Sequence, residues 1–256
     1  MTIIQAVISG IVQGATEFFP ISSSGHLVLL HNIFGFKQSM LTFDVFLHFG
    51  TILSVLIFFR KDILNMIRKD RALLKFIIIG SIPTFIIGML FKDVVENYFS
   101  MPRIVGLFLV ITGVFLLLAS FYALYLKISK RNKPLGASNS VIIGIAQGIS
   151  ILPGISRSGS TIGAALIAGL NEYDAVRFSF LLSIPAVLGA NILKARQICG
   201  SLVSIDMAVF AAGGIAAMVT GFFAIKFLLI MLRKNLFFLF GIYCLLIGSA
   251  VIILSR

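Results

Sequence analysis

Charge is what this sequence has least of. Only 12% of its 256 residues are charged against 59% hydrophobic, and the mean hydropathy is +1.10. A water-soluble domain of this length keeps about a quarter of its residues charged to cover its surface, so that class is excluded and an integral membrane protein is left. Cysteine is nearly missing too: Cys199 and Cys244 lie far apart in apolar stretches, with no CxxC and no Cys/His cluster. A disulfide framework and a zinc site are thereby excluded, and the two read as small buried hydrophobes. Acidic residues number nine against 21 Lys and Arg, for a net charge of +12. In a membrane chain such an excess belongs first to cytoplasmic loops, so nucleic acid is not the expected partner. No basic leader opens the chain, and Gln5, Gln13 and Glu17 interrupt the first apolar run, so a cleavable signal is not expected.

What is present is a series of apolar stretches of about 20 residues, each able to cross ~30 Å of hydrocarbon. They fall at 39–59, 73–91, 103–126, 175–193, 206–232 and 235–255. Two more apolar regions, 1–34 and 138–171, are broken midway by FFPISSSGH and LPGISRSGS, and each reads as two short half-helices meeting at a polar loop. These broken regions are copies. A shift of 134 residues places Gly10, Gln13, Gly14, Ile21, Ser22, Ser24 and Gly25 on the identical Gly144, Gln147, Gly148, Ile155, Ser156, Ser158 and Gly159. The register runs on through Phe46 and Phe180, Leu47 and Leu181, Gly80 and Gly214, and one residue later Gly106 and Gly113 fall on Gly241 and Gly248. Three crossings per copy is an odd number, which turns the second copy upside down. The expected fold is an all-α integral membrane protein with six transmembrane helices plus two re-entrant half-helix pairs, ten helices in a single membrane domain, made of a first repeat at 1–134 and a second, inverted one at 135–256.

Lys and Arg set the expected orientation. With the loop after the first span inside, fourteen basic residues, among them Arg60, Lys61, Arg68, Lys127, Arg177 and Arg233, face the cytoplasm and six face out. Both termini then face outward, and the basic runs at 60–75 and 127–133 meet anionic lipid; Lys194 and Arg196 count against this arrangement.

Irregular backbone at membrane depth is tolerated only inside protein or along a wet cavity, so the two breaks are expected to share one site. Each leads into a half-helix whose first N–H groups are unpaired. Ser22, Ser23, Ser24 and Gly25, and likewise Ser156, Ser158 and Gly159, thus offer anion cradles suited to phosphate, although serines in such places are more often simple caps. Glu17 sits within an apolar half-helix, where a carboxylate costs about 3 kcal/mol to insert, and function is the default reading. Gln13, four residues earlier, shares its face, and the two could give oxygens to Mg²⁺ or Ca²⁺ bound also by a phosphate. Arg157 is the one basic residue in either broken loop, and its fork of donors suits two phosphate oxygens. His26 lies three residues after Ser23 and four after Ser22, close enough to take a serine proton or to act as a nucleophile itself. In the other copy Ile151 replaces Glu17 and Ser160 replaces His26, while Arg157 stands where the first has Ser23. His31 and His48 read as isolated structural histidines and Asp44 as a helix cap.

The segments QGATEFFPISSSGH, from Gln13 to His26, and PGISRSGST, from Pro153 to Thr161, resemble the two signature motifs of the bacterial undecaprenyl-diphosphate phosphatase family, the bacitracin-resistance membrane phosphatases. The family's glutamate motif falls on Gln13 and Glu17, its serine and histidine on Ser23 and His26, and its arginine loop on Pro153, Gly154, Ser156, Arg157, Ser158 and Thr161. The resemblance implies hydrolysis of undecaprenyl diphosphate to the monophosphate carrier of cell-wall synthesis, resistance to bacitracin, dependence on a divalent cation, and a plasma-membrane site opening to the outer face. Where many members carry a first glutamate this chain has Gln13, so ligation there rests on a neutral oxygen. The SGH and SR fragments also resemble type-2 phosphatidic-acid phosphatases, but the lysine-arginine motif and second catalytic histidine of that family are missing. The alternative function is a secondary transporter or flippase of the same anionic lipid, since inverted repeats with broken helices describe carriers as well. The expected partners are the polyprenyl diphosphate and membrane lipid, and a homodimer is compatible with the sequence.

Overall fold

The computed structural model describes residues 1–36, 40–69, 71–91, 101–129, 133–198 and 206–255. Cys199, Asp70, Asp93, Glu96, Lys37, Lys92, Lys130, Arg131 and Arg256 lie outside them. Every regular element among the described residues is a helix, eleven in all. A capping box between Thr2 and Gln5 starts α1 (Ile3–Phe18), which stops because Phe19, the residue before Pro20, is forced into extended backbone. After the PISS corner α2 (Ser23–Ile33) begins. The first expected span then bends by 69°: α3 (Leu41–Phe58) turns at the fully buried Phe59 into the short basic α4 (Arg60–Arg68), which accounts for the helix beyond the expected ten. Next come α5 (Arg71–Leu90) and α6 (Pro102–Ile128), the latter opened by a proline in its first turn, where no N–H is missed.

The second broken pair is α7 (Ala137–Ile149) and α8 (Arg157–Ile167). It is followed by α9 (Glu172–Ile198), α10 (Met207–Arg233), capped by Asp206, and α11 (Phe238–Leu254). Four helices (α5, α6, α9 and α10) are long and apolar enough to cross a membrane, and the bent α3–α4 pair makes a fifth. The expected sixth span, α11, has 17 residues, about 25 Å of helix at 1.5 Å per residue. The four half-helices of the broken pairs, 11 to 16 residues each, are shorter still.

Packing follows small residues. α10 lies along α1 and α3, α7 along α5, and α6 along α11. In the last pair a Cβ on Gly106 would stand 3.0 Å from the Gly248 carbonyl oxygen and one on Gly113 2.8 Å from that of Gly241, so only glycine lets the backbones meet. Rising numbers in α6 meet falling numbers in α11, and the pair is therefore antiparallel. Phe18, Phe59, Phe178 and Phe180 fill the interior between the broken pairs. The outside carries Ile4, Ile33, Phe85, Phe121, Phe223 and Leu254, each more than half exposed. An apolar rim on helices of this length and hydropathy identifies a multi-pass membrane protein.

Candidate active site

The two polar corners interlock. Ser158 donates from Oγ to the Phe19 carbonyl at 3.0 Å, and a Cβ on Gly159 would stand 3.2 Å from Pro20 Cβ. Gly154, at φ 98°, turns the second corner where no side chain is tolerated: a Cβ there would lie 2.4 Å from the Val105 carbonyl oxygen of α6. Thr112, also of α6, steadies this corner by donating to Gly154 O at 3.3 Å and accepting from Ser156 N at 3.3 Å. Ser156 caps α8 by accepting from Gly159 N at 3.1 Å, and Thr161 bonds the Arg157 carbonyl and the Ser179 hydroxyl.

Where the corners meet, Glu17 is the hub. Its Oε1 receives Arg157 Nη2 from the other half of the chain. Its Oε2 accepts from Gln13 Nε2 at 3.0 Å and from Ser23 Oγ at 2.6 Å, and His48 Nε2 stands 3.9 Å away. Gln13 is wholly buried and the Glu17 side chain nearly so, which leaves the carboxylate dependent on these partners rather than on water. Two polar atoms of the cluster remain without a hydrogen-bond partner among the described residues, Arg157 Nη1 and Gln13 Oε1. Buried groups of this kind are rare in folded proteins, and here one is a charged donor and the other a neutral oxygen acceptor, on side chains that hold the two oxygens of one carboxylate. A phosphate oxygen satisfies the first and a hard cation the second.

The sequence pairs Ser23 with His26, and the structure separates them. Ser23 gives its proton to Glu17, and both ring nitrogens of His26 are used elsewhere: Nδ1 lies 2.8 Å from the Ser22 carbonyl and Nε2 2.7 Å from Tyr243 Oη. The physical reason is competition from other partners: the Glu17 carboxylate of α1 takes the Ser23 hydroxyl, while the Ser22 carbonyl and the Tyr243 hydroxyl of α11 take the two ring nitrogens of His26. Ser22 makes no side-chain cap, and its hydroxyl sits 3.4 Å from that of Ser24, leaving the first N–H groups of α2, near Gly25, open to a ligand. His48 is not the remote structural histidine that the sequence suggests: α3 carries it to Glu17, while its Nδ1 lies 2.8 Å from the Asp44 carbonyl. Asp44 does not cap α3 but lies in its first turn, 3.7 Å from His31. Tyr243 and His48 are thus the two site residues that motif reading misses. The duplication marks both, since their counterparts are Phe108 and Leu182.

Residues 6–250 match the family model described as bacitracin resistance protein BacA. A protein of Carboxydothermus hydrogenoformans named undecaprenyl-diphosphatase is 45% identical over all of this chain and 98% of its own length. Namesakes from Halothermothrix orenii and Methanosphaera stadtmanae are 43% and 38% identical, again over all of this chain and 99% of theirs. With the family model covering nearly every residue and full-length relatives at this identity, the chain belongs to the bacitracin resistance protein BacA family.

Proposed function

We propose that this chain hydrolyses undecaprenyl diphosphate to undecaprenyl phosphate and inorganic phosphate at the Glu17–Arg157 centre, with a divalent cation held there. It is an enzyme, a membrane phosphatase of its family, and the alternative of a carrier for the same lipid is not favoured. The observation that carries the reading is the pair of unspent buried atoms, Arg157 Nη1 and Gln13 Oε1, on the two sides of one carboxylate. Arg157 and the uncapped N-terminal N–H groups of α2 hold the diphosphate oxygens and balance charge as it develops. Ser23, whose proton already points at Glu17 Oε2, is the group that attacks the terminal phosphorus; the bond from that phosphorus to the bridging oxygen breaks, and the lipid monophosphate leaves. His26 then takes a proton from the water that releases phosphate from Ser23.

Gln13 and Glu17 fit Mg²⁺ or Ca²⁺ in the way these ions use few protein oxygens and complete their shell with substrate and water. Among the described residues no three His, Cys, Asp or Glu side chains converge to form a metal cage. When bound, such an ion supplies Lewis-acid stabilisation of the transferred phosphoryl oxygens.

The inverted repeat and the two halves at 1–134 and 135–256 belong to the same proposal. What supports them is the reciprocity of the helix contacts. Gly106 meets Gly248 and Gly113 meets Gly241, so each position touches the counterpart of the other, as a two-fold relation requires. Gly10 of α1 packs on Gly213 of α10, and its counterpart Gly144 of α7 packs on Gly80 of α5. The orientation draws support from one end of the bundle, where Asp62 pairs with Arg177 at 2.8 Å and Lys127 with Glu172 at 2.7 Å, beside Asn235. Lys127 and Arg177, both assigned to the cytoplasm, stand at that end, which supports a site opening to the outer face of the plasma membrane.

Phosphate release from undecaprenyl or farnesyl diphosphate by the detergent-purified protein tests the reading, with and without chelator and in Glu17→Ala and Arg157→Ala. Release abolished by chelator and by both substitutions is the expected result. A folded, lipid-supplied protein that releases none overturns the hydrolase.

A further inference from the structure

Two polar groups of the site that differ between the two copies, His48 and Tyr243, have no place in the chemistry above, and Tyr243 is the one that touches His26. Tyr243 of α11 corresponds to Phe108 of α6, in the register that pairs Gly241 with Gly106. His26 corresponds to Ser160. Phenol and imidazole are thus present together in one place, and both are missing from the equivalent place in the other copy. In space they touch: Tyr243 Oη lies 2.7 Å from His26 Nε2, and the rings stack with centroids 5.8 Å apart and planes 15° from parallel.

The hydrogen bonds fix the proton on the imidazole. A carbonyl oxygen has no proton to give, so the 2.8 Å contact to Ser22 O requires Nδ1 to carry the hydrogen. In the neutral ring Nε2 then offers a lone pair, and the Tyr243 hydroxyl donates to it. A phenol oxygen accepts as well as it donates, so the same contact can pass a proton: one arriving at Oη from the reacting water is matched by the phenol's own proton moving to Nε2. Tyr243 ends neutral and His26 ends cationic, with nothing else consumed.

We propose that Tyr243 is the positioning residue of His26, holding its ring with Nε2 free of hydrogen and handing it the proton released in hydrolysis. This rests on the diphosphatase reading above and adds to it a residue that lies outside both signature motifs and more than 200 positions from the histidine it serves.

The test is a mutant cycle of Tyr243→Phe with His26→Ala, measured as phosphate release by full-length protein in detergent, with kcat and KM separated and the folded fraction checked by gel filtration. Tyr243→Phe is expected to lower kcat about 10-fold with KM within 2-fold, and to cause no further loss once His26 is alanine, because its effect passes through that ring. The control Tyr122→Phe, on the outside of α6, leaves both constants unchanged. A Tyr243→Phe enzyme with the original kcat overturns the proposal, and so does an equal loss in the His26→Ala background. A measurement independent of turnover is ¹⁵N NMR of the protein's three histidines. Loss of the hydroxyl is expected to move the Nε2 resonance that disappears in His26→Ala and leave the other two histidines in place. An unmoved resonance overturns the contact itself, while the diphosphatase reading would stand or fall on Glu17 and Arg157 alone.

Discussion

The two broken helix pairs share a scaffold and divide the chemistry. Both corners set two serine hydroxyls beside each other, Ser22 with Ser24 at 3.4 Å and Ser156 with Ser158 at 3.3 Å, and both seat a glycine-bearing half-helix on a glycine of a long helix. At the positions where they differ, one corner carries Glu17, Ser23 and His26 and the other carries Ile151, Arg157 and Ser160. Their N-termini differ in the same sense: Ser156 spends its hydroxyl on capping α8, whereas Ser22 leaves α2 uncapped. In the proposed reaction identical positions build the cradle, and unlike positions supply an acid–base set on one side and a cation on the other. A single buried ion pair, Glu17 with Arg157, then joins the two.

The sharpest way to break this division is to remove either member of the pair. Glu17→Ala and Arg157→Ala are each expected to lower kcat/KM by about 10³-fold or more, since each also strands a buried charge. The double variant is expected to be little worse than either single one, because the two act as a unit; phosphate-release kinetics on the three proteins read this directly. His26→Ala is expected to cost about 10²-fold, the range for one general acid–base group, and mainly in kcat.

What could be read from the sequence divides along a physical line. Hydropathy located the six apolar stretches, and the broken pairs were visible because Pro20 and Gly154 fall among serine clusters; a proline alone is no break here, since Pro83 and Pro185 lie inside α5 and α9. Local chemistry also marked Glu17 and Arg157, since an ionisable group in an apolar run costs too much to be idle. Partnership was not legible. Ser23 and His26 are close in sequence, yet each is held by a partner from another helix, Ser23 by Glu17 of α1 and His26 by Tyr243 of α11, and such partners leave no local signal. His48 and Tyr243 arrive from helices whose own segments look merely apolar, and only comparison of the two copies, His48 against Leu182 and Tyr243 against Phe108, sets them apart. The bend at Phe59 was hidden for a related reason: hydropathy measures how much apolar surface a stretch has and says nothing of the direction in which it leaves the membrane.

The shared scaffold can be tested by stability. Gly113→Ala places a methyl 2.8 Å from the Gly241 carbonyl oxygen, which cannot give way, and about 1–3 kcal/mol of destabilisation is expected. Gly136→Ala, where nothing lies within 4 Å, is expected to stay within about 0.5 kcal/mol, and thermal unfolding in detergent compares the two. Gln13→Glu sharpens the chemical side. A second carboxylate beside Glu17 replaces a neutral oxygen, so half-maximal activation is expected at about 10-fold lower cation concentration, a gain of about 1.4 kcal/mol in binding. An unchanged cation titration would remove Gln13 from the cation's surroundings.

The smallest expected effect is the most exacting for the comparison. If the copies differ only in which residues they carry, then installing the acid and base in the second corner, as Ile151→Glu with Ser160→His, in a Glu17→Ala protein would restore turnover. No restoration is expected. The transplanted glutamate would find Ser23 where its cation is needed, since Arg157 occupies the equivalent place in its own corner. The transplanted histidine would face Phe108, which has no hydroxyl for its ring. Ser156 would also keep the α8 N-terminus capped against an incoming phosphate. Measurable phosphate release from that triple variant would mean that the scaffold alone specifies the reaction; its absence, with the protein folded, would mean that the two corners work only as complementary halves of one site.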